Sequence, residues 1–214
     1  MATAGVSEHV ALQRLNPGVN PMQSVIVRPL TAETFPDFLD LFDDPTTFSH
    51  RPEWAGCYCF YYYYFSGPRT EWEHRSPEAN RTAIAQAVQD GVAQGILAYV
   101  GSRPVGWCNA APRRSFPLLS QLPWLTTSDS GDVGAIVCFI VHPHYRRCGV
   151  AAALLNAACA HLAELGMRWA EGYPAVAPQS DAEAYHGTLN MFRRAGFTVV
   201  AEAGRYAVVR RSLP

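Results

Sequence analysis

The fourteen residues from Cys138 to Ala151, Cys-Phe-Ile-Val-His-Pro-His-Tyr-Arg-Arg-Cys-Gly-Val-Ala, constrain the fold more than any other part of the chain. They begin as an apolar strand and lead through Arg-x-x-Gly-x-Ala into a helix. The apolar stripe of that helix is Ala151, Leu154, Leu155, Ala158, Leu162 and Leu165. Because the first N–H groups of a helix have no intrahelical partner and lie at its positive end, we expect this turn to bind an anion such as a pyrophosphate. It is neither a P-loop nor a dinucleotide fingerprint, since both glycine patterns are missing.

Strand and helix patterns alternate around this turn. Apolar runs predict strands at residues 25–27, 96–100, 105–110, 135–141, 168–173, 197–200 and 206–209. Helical spacing predicts helices at residues 30–42, 77–94, 151–165 and 182–195, the last two ended by Gly166 and Gly196. The aromatic and Cys-rich residues 54–65 fit a buried strand or a buried helix equally well, and residues 112–132 are a proline-rich excursion. The interleaving predicts an α/β or α+β fold around one mixed sheet.

Composition and charge indicate one globular domain and exclude some classes of partner. The 214 residues are 49% hydrophobic, and 17 basic against 18 acidic side chains give a formal net charge of −1. This balance supplies no broad field for a phosphate backbone or an anionic lipid surface, so we expect no nucleic acid and no membrane partner. Residues 1–23 are polar and aperiodic, which predicts a flexible lead-in before a single domain at residues 24–214. They hold no apolar run typical of a signal or anchor, so we expect a cytoplasmic protein with free thiols.

The strand, turn and helix together resemble the GNAT superfamily of acetyl-CoA-dependent N-acetyltransferases. The matching positions are Val141, Pro143, Tyr145, Arg146, Gly149 and Ala151, and a later helix ends in Ala-Gly-Phe at residues 195–197, as in the family. The order of elements agrees over residues 24–212. The resemblance implies a GNAT-like mixed, mostly antiparallel central sheet flanked by helices. It also implies that acetyl-CoA inserts between two splayed strands, here residues 135–141 and 168–173.

The resemblance further implies which residues bind acetyl-CoA, the acyl donor. Backbone groups around Phe139, Ile140 and Val141 would bond the pantetheine arm and polarise the thioester, and N–H groups of residues 147–151 would hold the pyrophosphate. The expected cofactor-binding set is Phe139, Ile140, Val141, Arg146, Arg147, Cys148, Gly149, Val150, Ala151 and Phe192, and no metal is expected. A neutral amine would then attack the thioester through an oxyanion stabilised by a backbone donor.

The chain departs from the family at both usual catalytic positions. Phe192 stands where many relatives have a Tyr that protonates the leaving thiolate, and Ala135 stands where some have a Glu base. On a continuous helix Tyr185 would share a face with Phe192, so we name Tyr185 as the candidate acid, with packing or a pantetheine contact as the open alternative. For the base we consider Glu53, His74 and His186, or a water chain. Tyr185 and His186 are the candidate catalytic residues.

The acceptor side is indicated by an aromatic block at residues 58–65, where relatives build the acceptor pocket. Candidate substrate-binding residues are Glu53, Tyr58, Tyr61 and Asp132. Aromatic faces suit a cationic or sugar-like acceptor, although core packing is the commoner fate of such a run. Arg113 and Arg114 argue against a polycation, so we expect a small mono- or diamine on a polar frame, for example an amino-sugar antibiotic. Whether the protein forms a homodimer stays open.

Two other functions stay open at this stage. The missing acid and base positions are compatible with a non-catalytic, acyl-CoA-binding regulatory module. Metal or redox chemistry at Cys57 and Cys59, with His50 and His74 as further ligands, is the less favoured alternative, because structural zinc sites usually space their cysteines more widely.

Overall fold

The computed structural model describes residues 24–64, 69–121, 131–180 and 183–214. The lead-in predicted at residues 1–23 lies outside them, as do residues 122–130 of the proline-rich excursion. Within the described part, seven strands form one sheet: β1 Val25–Pro29, β2 Gly95–Val100, β3 Arg103–Pro112, β4 Val133–Val141, β5 Trp169–Gly172, β6 Thr198–Ala203 and β7 Tyr206–Ser212. The α-helices described are α1 Phe35–Asp43, α2 Tyr61–Tyr64, α3 Arg69–Glu73, α4 Pro77–Gln89, α5 Pro117–Ser120, α6 Val150–Glu164 and α7 Leu189–Arg194. Short 3₁₀ turns occupy Pro52–Cys57, Arg113–Ser115 and Pro143–Tyr145.

The sheet confirms the predicted fold class. Its strand order is β1-β2-β3-β4-β5-β7-β6, and every neighbouring pair is antiparallel except β4 and β5, which are parallel. The parallel pair is joined through α6, as a crossover connection requires. None of the helices among the described residues is long and apolar enough to cross a bilayer.

Two hydrophobic cores cover the two faces of the sheet. One is aliphatic and is built on α6, whose Leu154 and Leu155 are fully buried. The other is aromatic and includes Phe38 of α1, whose ring meets the buried Trp107 edge-on at 5.0 Å between centroids. Since successive side chains of a strand point to opposite faces, β4 contributes to both cores.

The aromatic block that was ambiguous from sequence folds as turns and a short helix. Pro52–Cys57 is a 3₁₀ turn, and Tyr58 and Cys59 then take left-handed backbone conformations with φ of 44° and 49°. The Tyr58 hydroxyl donates to Asp43 Oδ1 at 2.7 Å, which fixes the block against the end of α1. This compact path lets the rings of the block point in more than the two opposite directions that a strand allows.

The helix predicted over residues 182–195 is wrong. The structure has a turn before Gly187, whose φ of +83° is left-handed, and α7 covers only Leu189–Arg194. The Thr188 side chain caps this shorter helix by accepting the Met191 N–H at 3.2 Å. A left-handed glycine followed by an extended N-cap residue ends the helical path, and the sequence spacing did not reveal it. Tyr185 and Phe192 therefore do not share a helix.

Candidate active site

The site begins where β4 loses its neighbour on one side. The parallel pairing of β4 with β5 ends at Ile136 opposite Gly172, whereas the pairing with β3 continues to Val141 opposite Gly106. A register shift lies at this point, because Ala110 pairs with Ile136 and Asn109 pairs with Cys138. Val137 is thus the extra residue of a β-bulge, a feature that bends a strand and ends regular pairing. From there on, β4 presents an open edge.

Part of the open edge is used by the chain itself. The Phe139 N–H donates to the Tyr185 carbonyl at 2.6 Å, and His186 Nδ1–H donates to the Val137 carbonyl at 2.7 Å. Because backbone groups of alternate residues point the same way, the Val141 N–H and the Phe139 carbonyl also face this edge, whereas those of Ile140 face β3. Of the three residues whose backbone is expected to bond the pantetheine arm, Phe139 and Val141 face this edge. The Val141 N–H is the donor there that is not bonded to Tyr185.

The anion-binding turn forms at the end of the same strand. Arg147 has a φ of +63° and Gly149 a φ of +82°, and Gly149 is the N-cap of α6, which runs for 15 residues. Left-handed backbone at a non-glycine residue is strained and is typical of functional turns. These residues stand at the start of a long helix, where the first N–H groups have no intrahelical partner and favour an anion.

A cleft of about 280 Å³ runs from this turn along the open edge of β4. Its lining includes most of the residues predicted for acetyl-CoA: Phe139, Ile140, Val141, Arg146, Arg147, Gly149, Val150 and Ala151. Two predicted members are placed elsewhere. Cys148 is exposed and is not among the described lining residues, and Phe192 is fully buried between Phe139 and Phe197. Met191, one residue earlier on α7, lines the cleft instead. We call this space the donor cleft.

A loop that the sequence analysis did not select forms the other wall of the donor cleft. Thr47, Phe48 and His50 line it. Asp44 accepts hydrogen bonds from the N–H and the hydroxyl of Thr46 at 2.8 and 2.7 Å, and the Thr46 hydroxyl also bonds His142 Nε2 at 2.7 Å. Burial alone would raise the pKa of Asp44, but the bonds from Thr46 and Arg103 outweigh it and lower that pKa to about 2. The Asp-Pro-Thr-Thr sequence at residues 44–47 was the available signal, since Asp commonly bonds the backbone two residues later.

A second cavity of about 680 Å³ lies on the aromatic side of the sheet. Phe48, Trp54, Ile140 and Tyr185 line both this cavity and the donor cleft. Of the residues predicted to bind the acceptor, Glu53 and Tyr61 line it. We call it the acceptor cavity.

Two predicted acceptor residues lie elsewhere. Tyr58 is 8% exposed, stacks on Phe42 and bonds Asp43, so its ring is part of the core. Asp132 precedes β4 at the opposite end from the cleft, where its carbonyl accepts from Arg168 and Trp169. The sequence could not show this because a strand of nine residues separates its two ends by about 26 Å. Trp72 of α3, which the sequence analysis did not select, lines the acceptor cavity.

Tyr185 lies where the two spaces meet. Its ring packs edge-on against Trp54 at 5.4 Å between centroids, and it lies tilted against the His186 ring at 3.9 Å. Burial raises the pKa of Tyr185 well above its usual value, with Cys138 and Tyr206 adding to the effect. The phenol is protonated at neutral pH, as a free phenol also is, and burial makes it a weaker acid.

His186 lies behind Tyr185, 8% exposed, and is not among the described residues that line either space. Its Nδ1 donates to Val137, and its Nε2 lies 3.4 Å from the Tyr62 hydroxyl. Burial lowers the pKa of His186 to about 4, so the imidazole is neutral at physiological pH. Of the other two base candidates, Glu53 lines the acceptor cavity, and His74 is not among its described lining residues.

Three cysteines line the acceptor cavity: Cys57, Cys59 and Cys138. The Sγ atoms of Cys59 and Cys138 are 3.4 Å apart, and burial raises the pKa of Cys57 to about 12. Within the described ranges, no three His, Cys, Asp or Glu side chains are grouped as metal ligands would be. These thiols line the cavity as small apolar groups.

Comparison with solved structures defines the class of this fold. The PaiA N-acetyltransferase of Thermoplasma acidophilum, solved with coenzyme A, is 13% identical, with a TM-score of 0.50 over 88% of this chain and 99% of that chain. YncA of Salmonella typhimurium, described as a putative acetyltransferase and solved with acetyl-CoA, is 14% identical, with a TM-score of 0.51 over 89% of this chain and 94% of that chain. The GNAT domain of S. lividans PAT is 17% identical, with a TM-score of 0.53 over 87% and 89%. At such identities these likenesses establish the fold.

The sequence itself establishes the family. The family model described as "Acetyltransferase (GNAT) family" matches residues 38–197, which include β4, the anion-binding turn and α7. The chain therefore belongs to the GNAT family of acetyltransferases, enzymes that use acetyl-CoA. The sequence has no significant match among curated proteins.

Proposed function

We propose that this enzyme transfers the acetyl group of acetyl-CoA to a primary amine of a small molecule, acting as an N-acetyltransferase. The observation that supports this most is the meeting of two spaces at Ile140 and Tyr185, with an anion-binding turn at the far end of only one of them. A donor with a pyrophosphate in the donor cleft and an amine in the acceptor cavity would bring their reacting ends together at this junction. An amino sugar is one acceptor class that the sequence suggests.

The residues of the donor cleft fit acetyl-CoA. Arg146 and Arg147 line the cleft beside the start of α6, which suits a pyrophosphate. The open edge of β4 offers the Phe139 carbonyl, which suits an amide N–H of a pantetheine arm lying along the strand as an added strand would. Bound in this way, acetyl-CoA supplies the thioester that is to be attacked.

The junction residues can carry the chemistry. The Val141 N–H, aimed at the open edge, would stabilise the oxyanion that forms when the amine attacks. The Tyr185 hydroxyl, a phenol that is protonated at neutral pH, would give its proton to the leaving thiolate. Glu53, which lines the acceptor cavity, would take up the amine proton through water, since its side chain lies 58% exposed at the rim. His186 would hold Tyr62 and the bulge in place rather than act as the base, because it is 8% exposed and is not among the described residues that line either space.

Release of free thiol from acetyl-CoA tests the proposal. We expect the purified enzyme to release CoA thiol with at least one member of a panel of aminoglycosides, arylalkylamines, polyamines and peptide N-termini, well above its rate without amine. Binding of acetyl-CoA by calorimetry with no amine-dependent release would indicate an acyl-CoA-binding module instead. Absence of acetyl-CoA binding would contradict the donor cleft itself.

A further inference from the structure

The inner wall of the acceptor cavity is made of rings and thiols. The aromatic side chains that line it are Phe42, Phe48, Trp54, Tyr61, Tyr62, Trp72 and Tyr185, and the three cysteines and Ile140 add further apolar surface. These described residues do not form a polar wall of amide and carboxylate groups. Such a wall would match the many hydroxyls of a sugar. Burying sugar hydroxyls against such a wall would leave them without hydrogen-bond partners.

Two ring pairs form part of this wall. Trp54 meets Tyr185 edge-on at 5.4 Å between centroids, and Tyr61 meets Trp72 edge-on at 5.0 Å. All four of these side chains are half-buried, so ring surface remains for a ligand. The aromatic ring of a ligand could therefore make favourable edge-to-face contacts with either pair.

The charges of the cavity lie at its rim and are few. Glu53 and Glu73 are exposed there, and Arg75 is held by Asn80 Oδ1 at 2.7 Å and lies over the Tyr64 ring at 4.3 Å. Two carboxylates and one guanidinium give the lining a formal net charge of −1. Glu53 is also paired with Arg51 at 3.1 Å. A rim with so little negative charge suits a ligand with one ammonium group better than an aminoglycoside or a polyamine, which bring several.

We propose that the acceptor is an arylalkylamine, a primary amine with a single positive charge on a flat aromatic body. This proposal rests on the proposed function and narrows the acceptor class from the amino sugar suggested by the sequence. The amine end lies at Ile140 and Tyr185, where the acceptor cavity meets the donor cleft, and the aromatic body lies against Trp54, Tyr61 and Trp72. The volume of about 680 Å³ is ample, because an engineered cavity of about 150 Å³ already binds benzene.

A substrate panel on the unmodified enzyme tests the proposal directly. Initial rates of thiol release are measured with 2-phenylethylamine, tryptamine, glucosamine, kanamycin and spermidine. We expect kcat/KM for the two arylalkylamines to exceed that for each of the others by tenfold or more. A preference of tenfold or more for glucosamine, kanamycin or spermidine would overturn this inference and leave acetyl transfer standing. Turnover of none of the five would also overturn it, and the broader amine panel would then decide the proposed function.

A variant of the ring wall tests where the aromatic body lies. Trp72→Leu should raise KM for tryptamine about tenfold and leave KM for acetyl-CoA unchanged, because Trp72 lines only the acceptor cavity. Trp169→Leu is the matched control, since Trp169 is 39% exposed on β5 and lies outside both spaces. An unchanged tryptamine KM in folded Trp72→Leu would contradict the proposed placement. Should that variant fail to fold, Tyr61→Leu gives the same test from the other ring of the pair.

Discussion

At the scale of single residues, Tyr185 links the geometry to the chemistry. Its carbonyl accepts the Phe139 N–H at 2.6 Å, and its ring lines both spaces. The backbone of Tyr185 thus occupies one donor of the open edge, while its side chain lies at the junction of the two spaces. Phe192, at the position where relatives carry the acid, is fully buried among other rings and has no access to the donor cleft.

Removing the Tyr185 hydroxyl tests its role as the acid. Tyr185→Phe should lower kcat about 10²-fold, the usual contribution of a general acid, with little change in acetyl-CoA affinity. The ring packing against Trp54 and His186 is kept, so the fold should be intact. Steady-state kinetics measure the effect, and Tyr99→Phe is the matched control because the Tyr99 hydroxyl bonds Asp37 away from both spaces. A kcat equal to that of the parent would remove Tyr185 from the mechanism. Phe192→Tyr should not restore activity, because its side chain is fully buried.

Substitutions in the first turn of α6 can separate the effect of side-chain charge on acetyl-CoA binding from the effect of side-chain size. Ala151 lines the donor cleft beside Gly149, where we place the pyrophosphate. Ala151→Glu should weaken acetyl-CoA binding at least 100-fold, about 3 kcal/mol, because a carboxylate would meet phosphate charge there. Ala151→Gln has the same size without the charge and should lose less. Calorimetric Kd values decide between the outcomes: equal losses would mean that size alone matters, and tight binding by a folded Ala151→Glu would place the pyrophosphate elsewhere.

At the scale of elements, the sequence predicted what periodicity and turn chemistry encode. The apolar run of β4, the helix stripe of α6 and the two hairpins β2–β3 and β6–β7 follow local patterns, and the structure confirms them. The turn between β4 and α6 was predictable for the same reason, since its glycine and the helix start are adjacent in sequence. The bulge at Val137 was not, because it depends on the register between β3 and β4, which is a property of the pair.

The acceptor side was predictable only in part. Glu53 and Tyr61 were selected with Tyr58, yet Tyr58 faces the core. The left-handed turn at Tyr58 and Cys59 decides which rings face the cavity. Because neither residue is a glycine, the sequence gives no signal for a left-handed conformation there. In the same way, the left-handed Gly187 divided a segment whose apolar spacing resembled one long helix.

Gly187 itself gives a test at this scale. A Cβ atom there would lie 2.7 Å from Met191 Cε and 2.8 Å from Phe192 Cε2, in a backbone with φ of +83°. Gly187→Ala should lower the free energy of unfolding by about 2 kcal/mol and raise KM for acetyl-CoA several-fold, because Met191 and Thr188 line the donor cleft. Gly91→Ala is the control with backbone strain alone, since its φ is +69° and nothing lies within 4 Å of the added atom. Denaturant titration measures the stability and kinetics measure KM. Indistinguishable results for the two variants would contradict the placement of Thr188 and Met191 in the wall of the donor cleft.

At the scale of the whole molecule, the site lies where the two cores meet at one strand. The aliphatic core under α6 supports the anion-binding turn, and the aromatic core supports the acceptor cavity, with β4 shared by both. The bulge at Val137 opens the edge of β4 on the side of β5, and His186 holds that bulge through its bond to the Val137 carbonyl. Folding stability and site geometry are therefore coupled through a buried neutral imidazole.

This coupling predicts how stability depends on pH. The pKa of His186 falls from 6.5 to about 4 on burial, so the unfolded chain binds a proton at this position before the folded chain does. The free energy of unfolding should therefore decline as pH falls from about 6.5 to about 4, with a contribution from His186 of about 3 kcal/mol across that window. Burial also lowers the pKa values of His142 and His161, which adds to the decline in the same direction. Urea titrations at several pH values would measure it, with His186→Gln as the comparison, because its amide can still donate to Val137. We expect a shallower decline in the variant, and identical pH profiles for the two proteins would show that His186 does not carry the effect.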